Sequence, residues 1–202
     1  MSISHLFFDI GGVLGTNGWS SQQRRHAIER FGLDAAEFEQ QHRDALGTFE
    51  QGRMTLAEYL DATVFYRDRD FTREGFVDFM RAESRPDQVT IDLARRLAAT
   101  GRFRMMTLNN ESLELNLHRI GLFGLRGVFE AFFSSCWLGC TKPSRQIYEL
   151  ALGISQAPPE RAVFVDDRGP NLAPAQALGM RTIHFTTGDR LAGQLAALGV
   201  AA

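Results

Sequence analysis

From Pro86 onward the sequence alternates helical and strand-like segments so regularly that few folds remain open to it. Residues 88–100 carry helical spacing up to Gly101, 102–108 read as a strand, 112–120 as a helix and 131–135 as a strand. The pattern repeats with a helix over 144–153, a strand over 161–165, a helix over 171–178, a strand over 182–185 and a closing helix over 190–198. Strands separated by helices pair in parallel through right-handed crossovers, which predicts a doubly wound α/β sheet covered on both faces. An earlier apolar strand, Leu6-Phe7-Phe8, completes that sheet.

Between this first strand and Pro86 no further strand is legible. Residues 20–31, 35–47, 56–66 and 73–83 have helical apolar spacing instead, with Phe76, Phe79 and Met80 on one face at i, i+3, i+4. Thr55 and Thr72 suit N-caps, and Thr55 with Glu58 forms a capping box. The expected organisation is an α/β core over 1–14 and 87–202 and a small helical-bundle cap over 15–86, inserted after strand one. Gly15-Thr16 and Arg85-Pro86 are its linkers.

Composition narrows the function. At 202 residues with 44% apolar content the chain can bury a sizeable core, and its net charge of -2 offers no basic field for nucleic acid. Neither a charged leader nor a stretch approaching the ~20 apolar residues of a membrane span is present, so the expectation is a soluble cytoplasmic protein acting on a small molecule. Oligomeric state is not legible. Cys136 and Cys140 lack the partners of a zinc site and read as reduced, half-buried thiols. The five histidines share no metal-like spacing and read as surface or packed side chains, with His184 in the last strand expected at a hydrogen-bonded core position.

In doubly wound sheets ligands bind beyond the carboxyl ends of the strands. Four polar clusters fall at those ends: Asp9, Asn109-Asn110, Lys142 and Asp166-Asp167. Adjacent carboxylates repel unless a cation lies between them, and oxygen donors without His or Cys suit Mg²⁺. Gly11-Gly12 permit close backbone approach to an anion or metal. Lys142 adds a fixed positive charge for phosphoryl oxygens, with Asn109, Asn110 and the amides around Gly11 as hydrogen-bond donors.

These residues resemble the haloacid dehalogenase superfamily, in its branch with a helical cap after strand one. The likeness runs over nearly the whole chain: DIGGVL at Asp9, TLNNES around Asn109, TKPSRQIY at Lys142 and VFVDDRGPNLAPAQALGM at Asp166. It implies that Asp9 is the nucleophile, that Asp9, Asp167 and the Gly11 carbonyl hold Mg²⁺, and that Asp166 supports the metal from behind those ligands. Lys142 would order Asp9 and the phosphate. Asn109 would touch the phosphate where the family usually has Ser or Thr, with Asn110 orienting it. The implied activity is hydrolysis of a small phosphorylated metabolite, with sugar phosphates favoured, through an aspartyl-phosphate. A catalytically inactive phosphate-binding protein and a 2-haloacid dehalogenase are the alternatives.

Gly11 departs from the family pattern, which usually has a second Asp there to protonate the leaving group. Its loss predicts a preference for good leaving groups unless a cap residue or the substrate supplies the proton, and Glu50 is the cap acid to nominate. Glu50 and Arg53 lie in a stretch resembling the substrate-facing cap loop, and Trp19 follows the nucleophile loop. Each could instead serve packing or the solvated surface.

Overall fold

The structure, a computed structural model, describes residues 2–201. Strand β1 (His5–Phe8) leads into four helices, α1 (Ser21–Phe31), α2 (Ala35–Glu50), α3 (Leu56–Thr63) and α4 (Arg73–Ala82). There follow α5 (Gln88–Ala99), β2 (Arg104–Asn109), α6 (Leu113–Leu122), β3 (Ala131–Ser134) and the short α7 (Ser135–Leu138). The chain continues through α8 (Arg145–Ser155), β4 (Ala162–Asp166), α9 (Gly169–Ala177), β5 (Arg181–His184) and α10 (Gly188–Ala197).

The five strands form one parallel sheet in the order β3-β2-β1-β4-β5. Residues His5 to Phe8 of β1 face Arg104 to Thr107 on one side and Ala162 to Val165 on the other. Successive β1 side chains go to opposite faces. Leu6 and Phe8 join Val163 and Val165 beneath α5 and α10, while Phe7 joins Phe164, Ile147 and Tyr148 beneath α8 and α9. Each fully buried aliphatic or aromatic side chain contributes about 1.5–3 kcal/mol, so two such layers hold the central strands rigidly.

The first four helices bury a separate cluster built from Trp19, Phe38, Phe49, Tyr59, Leu60, Phe76 and Met80. Their starts follow the expected chemistry. Thr55 and Glu58 form a reciprocal capping box, and the Thr72 hydroxyl accepts the Gly75 amide at 3.1 Å. One boundary differs from expectation: α2 does not stop at Gly47 but runs to Glu50. Gly47 is exposed, while Phe38, His42, Ala45 and Phe49 continue one buried stripe past it, so packing overrides the weak helix propensity of a single glycine.

The chain enters this helical region after β1 and leaves it before α5, and the two crossings lie side by side. The Thr16 amide donates to the Arg85 carbonyl and the Asp87 amide to the Leu14 carbonyl, each at 2.9 Å.

Candidate active site

Asp9 follows the last residue of β1 and Asp166 ends β4, its hydrogen-bonded neighbour. Their carboxylates therefore meet at the carboxyl edge of the sheet. Lys142 lies between them, its Nζ 3.0 Å from Asp9 Oδ2 and 2.7 Å from Asp166 Oδ2, and also donates to the Leu108 carbonyl at 3.0 Å. All three side chains are buried. One oxygen from each of Asp9, Asp166 and Asp167 lies within 4.8 Å of the others.

The two members of the Asp-Asp pair differ in what they have left to offer. Asp166 accepts from Lys142, from the Arg168 amide at 2.8 Å and from Asn171 Nδ2 at 3.1 Å on both oxygens. Asp167 has only a long contact from Asn17 Nδ2 to Oδ2 at 3.5 Å, and its buried Oδ1 has no partner among the described residues. A buried unsatisfied carboxylate oxygen costs about 1–3 kcal/mol or more, and a divalent cation is the partner it fits. The electrostatics agree. Burial pushes the Asp9 carboxyl up against the opposing pull of Lys142, and burial with the neighbouring Asp166 pushes Asp167 up. Burial works against the Lys142 ammonium, yet Asp9 and Asp166 hold it above the usual lysine range. Three carboxylates face one ammonium, an excess of negative charge suited to an added cation.

The paired glycines are not equivalent. Gly12 has φ +73° and a Cβ there would lie 2.2 Å from Asp167 Oδ2, so only glycine lets the loop close on the carboxylate. A Cβ at Gly11 would meet nothing nearer than Asn17 Oδ1 at 3.5 Å, with Arg119 Nη1 at 3.7 Å. Space for a side chain exists at position 11.

The two asparagines depart from expectation. The Asn109 amide does not face the cavity: its Nδ2 donates to Asn116 Oδ1 at 3.0 Å and its Oδ1 accepts from Ser134 Oγ at 2.8 Å. As the last residue of β2, paired with Ser134 of β3, it is committed inside the sheet edge. Asn110 lies beside the cavity and does not orient Asn109. Its side chain clamps the Lys142 backbone, donating to the carbonyl at 2.9 Å and accepting from the amide at 2.8 Å.

A cavity of about 610 Å³ opens above this cluster, lined on one side by Asp9, Gly11, Asn110, Lys142 and Asp167 and on the other by residues of the helical region. Trp19 packs edge-on to Phe38 and Phe76, donates to Tyr59 Oη at 2.8 Å, and borders the cavity. Glu50 borders it as well. Arg53 does not. Gly52, at φ +69°, packs so closely on the Cys136 carbonyl that a Cβ would lie 2.1 Å from its oxygen, and Arg53 beyond that turn is exposed and bonded to Gln51. His184 is exposed rather than in the core, though its Nε2 lies 2.9 Å from the Asp167 carbonyl.

Several cavity residues carry weak or no signals in the sequence. His42 is buried, with Nδ1 2.8 Å from Tyr59 Oη, and burial lowers its pKa to about 4. Its place on the apolar stripe of α2 was its only mark. Glu111 and Arg119 form a buried ion pair at 3.2 Å, and Arg119 also donates to the Thr16 carbonyl. Arg24 is fixed by two 2.9 Å bonds to Glu39, whereas Arg25 and Arg168 have no side-chain partner among the described residues. Glu111 adjoins the Asn109-Asn110 pair, but nothing local links it to Arg119 eight residues on.

Residues 3–179 match the family model described as haloacid dehalogenase-like hydrolase. The chain is 28% identical over 203 residues to bifunctional epoxide hydrolase 2 of Sus scrofa, covering 91% of this chain and 36% of that protein. It is 30% identical over 152 residues to flavin mononucleotide hydrolase 1 of Arabidopsis thaliana, covering 75% of this chain and 61% of the relative. The chain thus spans about a third of the first of these relatives and under two thirds of the second. In structure it resembles a HAD family enzyme of Bacteroides thetaiotaomicron, with a TM-score of 0.83 at 19% identity over 96% of this chain and 99% of that one. A complex of that enzyme with magnesium and inorganic phosphate aligns at a TM-score of 0.76 and 18% identity, over 93% and 96% of the two chains. The chain belongs to the haloacid dehalogenase-like hydrolase family.

Proposed function

We propose that the protein is a Mg²⁺-dependent phosphomonoester hydrolase acting on a small phosphorylated metabolite, with sugar phosphates favoured, through an aspartyl-phosphate on Asp9. The observation that carries this reading is the buried Asp167 Oδ1, which among the described residues has no partner and lies within a trio of carboxylates faced by a single cation, Lys142. The donor set suits Mg²⁺, with Asp9, Asp167 and the Gly11 carbonyl as direct ligands and the fully bonded Asp166 behind them. When bound, the metal would neutralise phosphoryl charge.

In this reading an Asp9 carboxylate oxygen attacks phosphorus while Lys142 holds Asp9 and the phosphoryl group. Asn110 fixes the loop that carries Lys142. Residues 1–14 and 87–202 act as the catalytic core, and 15–86 as a cap that excludes water. Arg25 and Arg168, with no carboxylate to neutralise them, favour an anionic substrate. The Arabidopsis relative is named for hydrolysis of flavin mononucleotide, a phosphomonoester, and the Bacteroides neighbour holds magnesium with phosphate. Carbon-halogen cleavage has less support, since it gives no reason for the crowded carboxylates.

The test is a panel of phosphorylated metabolites with and without Mg²⁺, run on the native protein and on Asp167→Ala. Turnover that requires Mg²⁺ and disappears in Asp167→Ala, together with loss of calorimetric Mg²⁺ binding by at least about 10²-fold, is expected. No turnover on any ester, or turnover indifferent to Mg²⁺, would overturn the proposal.

A further inference from the structure

Gly11 leaves the hydrolase reading without a proton source, and the cavity itself supplies a candidate. Four carboxyl groups border it: Asp9, Asp167, Glu111 and Glu50. Asp9 is tied to Lys142, Asp167 belongs to the acidic trio, and Glu111 is paired with Arg119 while accepting the Ser112 amide at 3.0 Å. The Glu50 carboxyl has no hydrogen bond or ion pair among the described residues. The histidine in the wall, His42, has its pKa lowered to about 4 by burial, so it is neutral near pH 7 and has no proton to give there.

Glu50 is nevertheless firmly placed. It is the last residue of α2, and its carbonyl accepts from Ser135 Oγ at 2.6 Å. The same hydroxyl accepts the Glu111 amide at 3.0 Å, and the Gly52 turn lies directly on the Cys136 backbone. The helical region is thus latched to the sheet edge beside the residue in question, and its free carboxyl is held over the cavity by a scaffold made of both halves.

We infer that Glu50 is the general acid and base of this site, donating the proton to the leaving oxygen and later taking one from water. The inference rests on the hydrolase reading. As Asp9 Oδ attacks phosphorus, the bond from phosphorus to the ester oxygen breaks, its electron pair stays on that oxygen, and the Glu50 proton goes to it, releasing the alcohol. Water then attacks the aspartyl-phosphate. Glu50 carboxylate accepts the water proton, hydroxide bonds to phosphorus, the Asp9–phosphorus bond breaks, and phosphate leaves with Asp9 ionised and Glu50 protonated again.

Burial, reinforced by the negative Glu111, pushes the Glu50 carboxyl up to about 7, with Arg168, Lys142 and Arg24 opposing. A carboxyl near 7 serves both directions of transfer at neutral pH.

The experiment compares native protein and Glu50→Gln in Mg²⁺ on p-nitrophenyl phosphate and on a simple alkyl phosphate, following the first turnover as well as the steady state. Glu50→Gln should lose about 10²–10⁴-fold on the alkyl ester. On p-nitrophenyl phosphate it should still release one equivalent of p-nitrophenolate within a few-fold of the native first-turnover rate, then stall. The native protein itself should lose alkyl-ester turnover as pH rises through about 7, while its first turnover on the aryl ester does not. Equal first-turnover losses of Glu50→Gln on both esters, or none on the alkyl ester, or parallel native first-turnover pH profiles, would overturn the role of Glu50 and leave the hydrolase reading standing. Absence of native turnover on either ester, with Mg²⁺ present, would overturn the hydrolase reading and this inference with it.

Discussion

On the sheet side of the cavity the carboxylates sit at strand ends, Lys142 reaches them from the loop before α8, and these groups hold one another: Lys142 binds two carboxylates and a carbonyl, and Asp166 takes four hydrogen bonds from three residues. On the helical side the scaffold is aromatic. Trp19, Tyr59 and His42 form a buried hydrogen-bonded chain, Arg24 is held by Glu39, and the cavity-lining side chains of Glu50 and Arg25 have no partner among the described residues. One wall is preorganised by charge pairing on rigid strands, the other by ring packing that leaves its polar groups available. In the proposed reaction this difference would give the unvarying part of the chemistry to the first wall and the choice of substrate and proton transfer to the second.

The sharpest way to break this division is to remove the nucleophile while keeping its shape and leaving Lys142 paired with Asp166. Asp9→Asn should lower turnover by a factor on the order of 10⁶, as loss of other covalent nucleophiles does, while leaving the fold intact. Steady-state assays with a thermal melt check both halves. Next in size is the sheet wall's dependence on pairing. Lys142→Met leaves Asp9 and Asp166 buried without a cation and should cost about 3–5 kcal/mol in denaturant unfolding. Added Mg²⁺ should recover part of that loss, whereas an unchanged midpoint would show that the pairing is not what holds this wall.

The helical wall has its own signature in pH. His42 titrates near 4 in the fold and near 6.5 when unfolded, so the unfolded chain binds the extra proton first as pH falls. The stability linked to His42 is complete above about 6.5 and drains away toward 4, by up to roughly 3 kcal/mol. His42→Gln should flatten that slope in unfolding midpoints measured from pH 7 to 4. A slope unchanged by the substitution would place the acid sensitivity elsewhere. The smallest expected effect is at the latch. Ser135→Ala removes the hydroxyl shared by Glu50 and Glu111 and should cost about 0.5–1.5 kcal/mol. If Glu50 is held in place there, turnover of alkyl phosphates should fall more than that of aryl phosphates.

The same contrast explains what could be read from the sequence. Strand ends carry a local signature, an apolar run that stops on a polar residue, and Asp9 and Asp166-Asp167 were legible from it, whereas Lys142, in the loop beyond β3 and α7, was legible from its motif. The sheet and the helical insert were legible from periodicity. The orientation of Asn109 was not, because it depends on Ser134 in the neighbouring strand and Asn116 on the next helix. Nor was the end of α2, where a buried stripe carried the helix through Gly47 and put Glu50 on its last turn. His42 and Arg119 face the cavity through contacts with residues 17 and 103 positions away, Tyr59 and Thr16. Tertiary partners of that kind leave no spacing to find.

Phosphorylation of Asp9 is the central step of the proposed reaction. Native protein mixed with p-nitrophenyl phosphate and Mg²⁺, quenched in acid within the first turnover and digested for mass spectrometry, reports this directly. The expected result is a phosphoryl group on the peptide containing Asp9, absent when Mg²⁺ is withheld and absent in Asp9→Asn. Turnover with no phosphoryl group on that peptide, or with one on another residue, would contradict it.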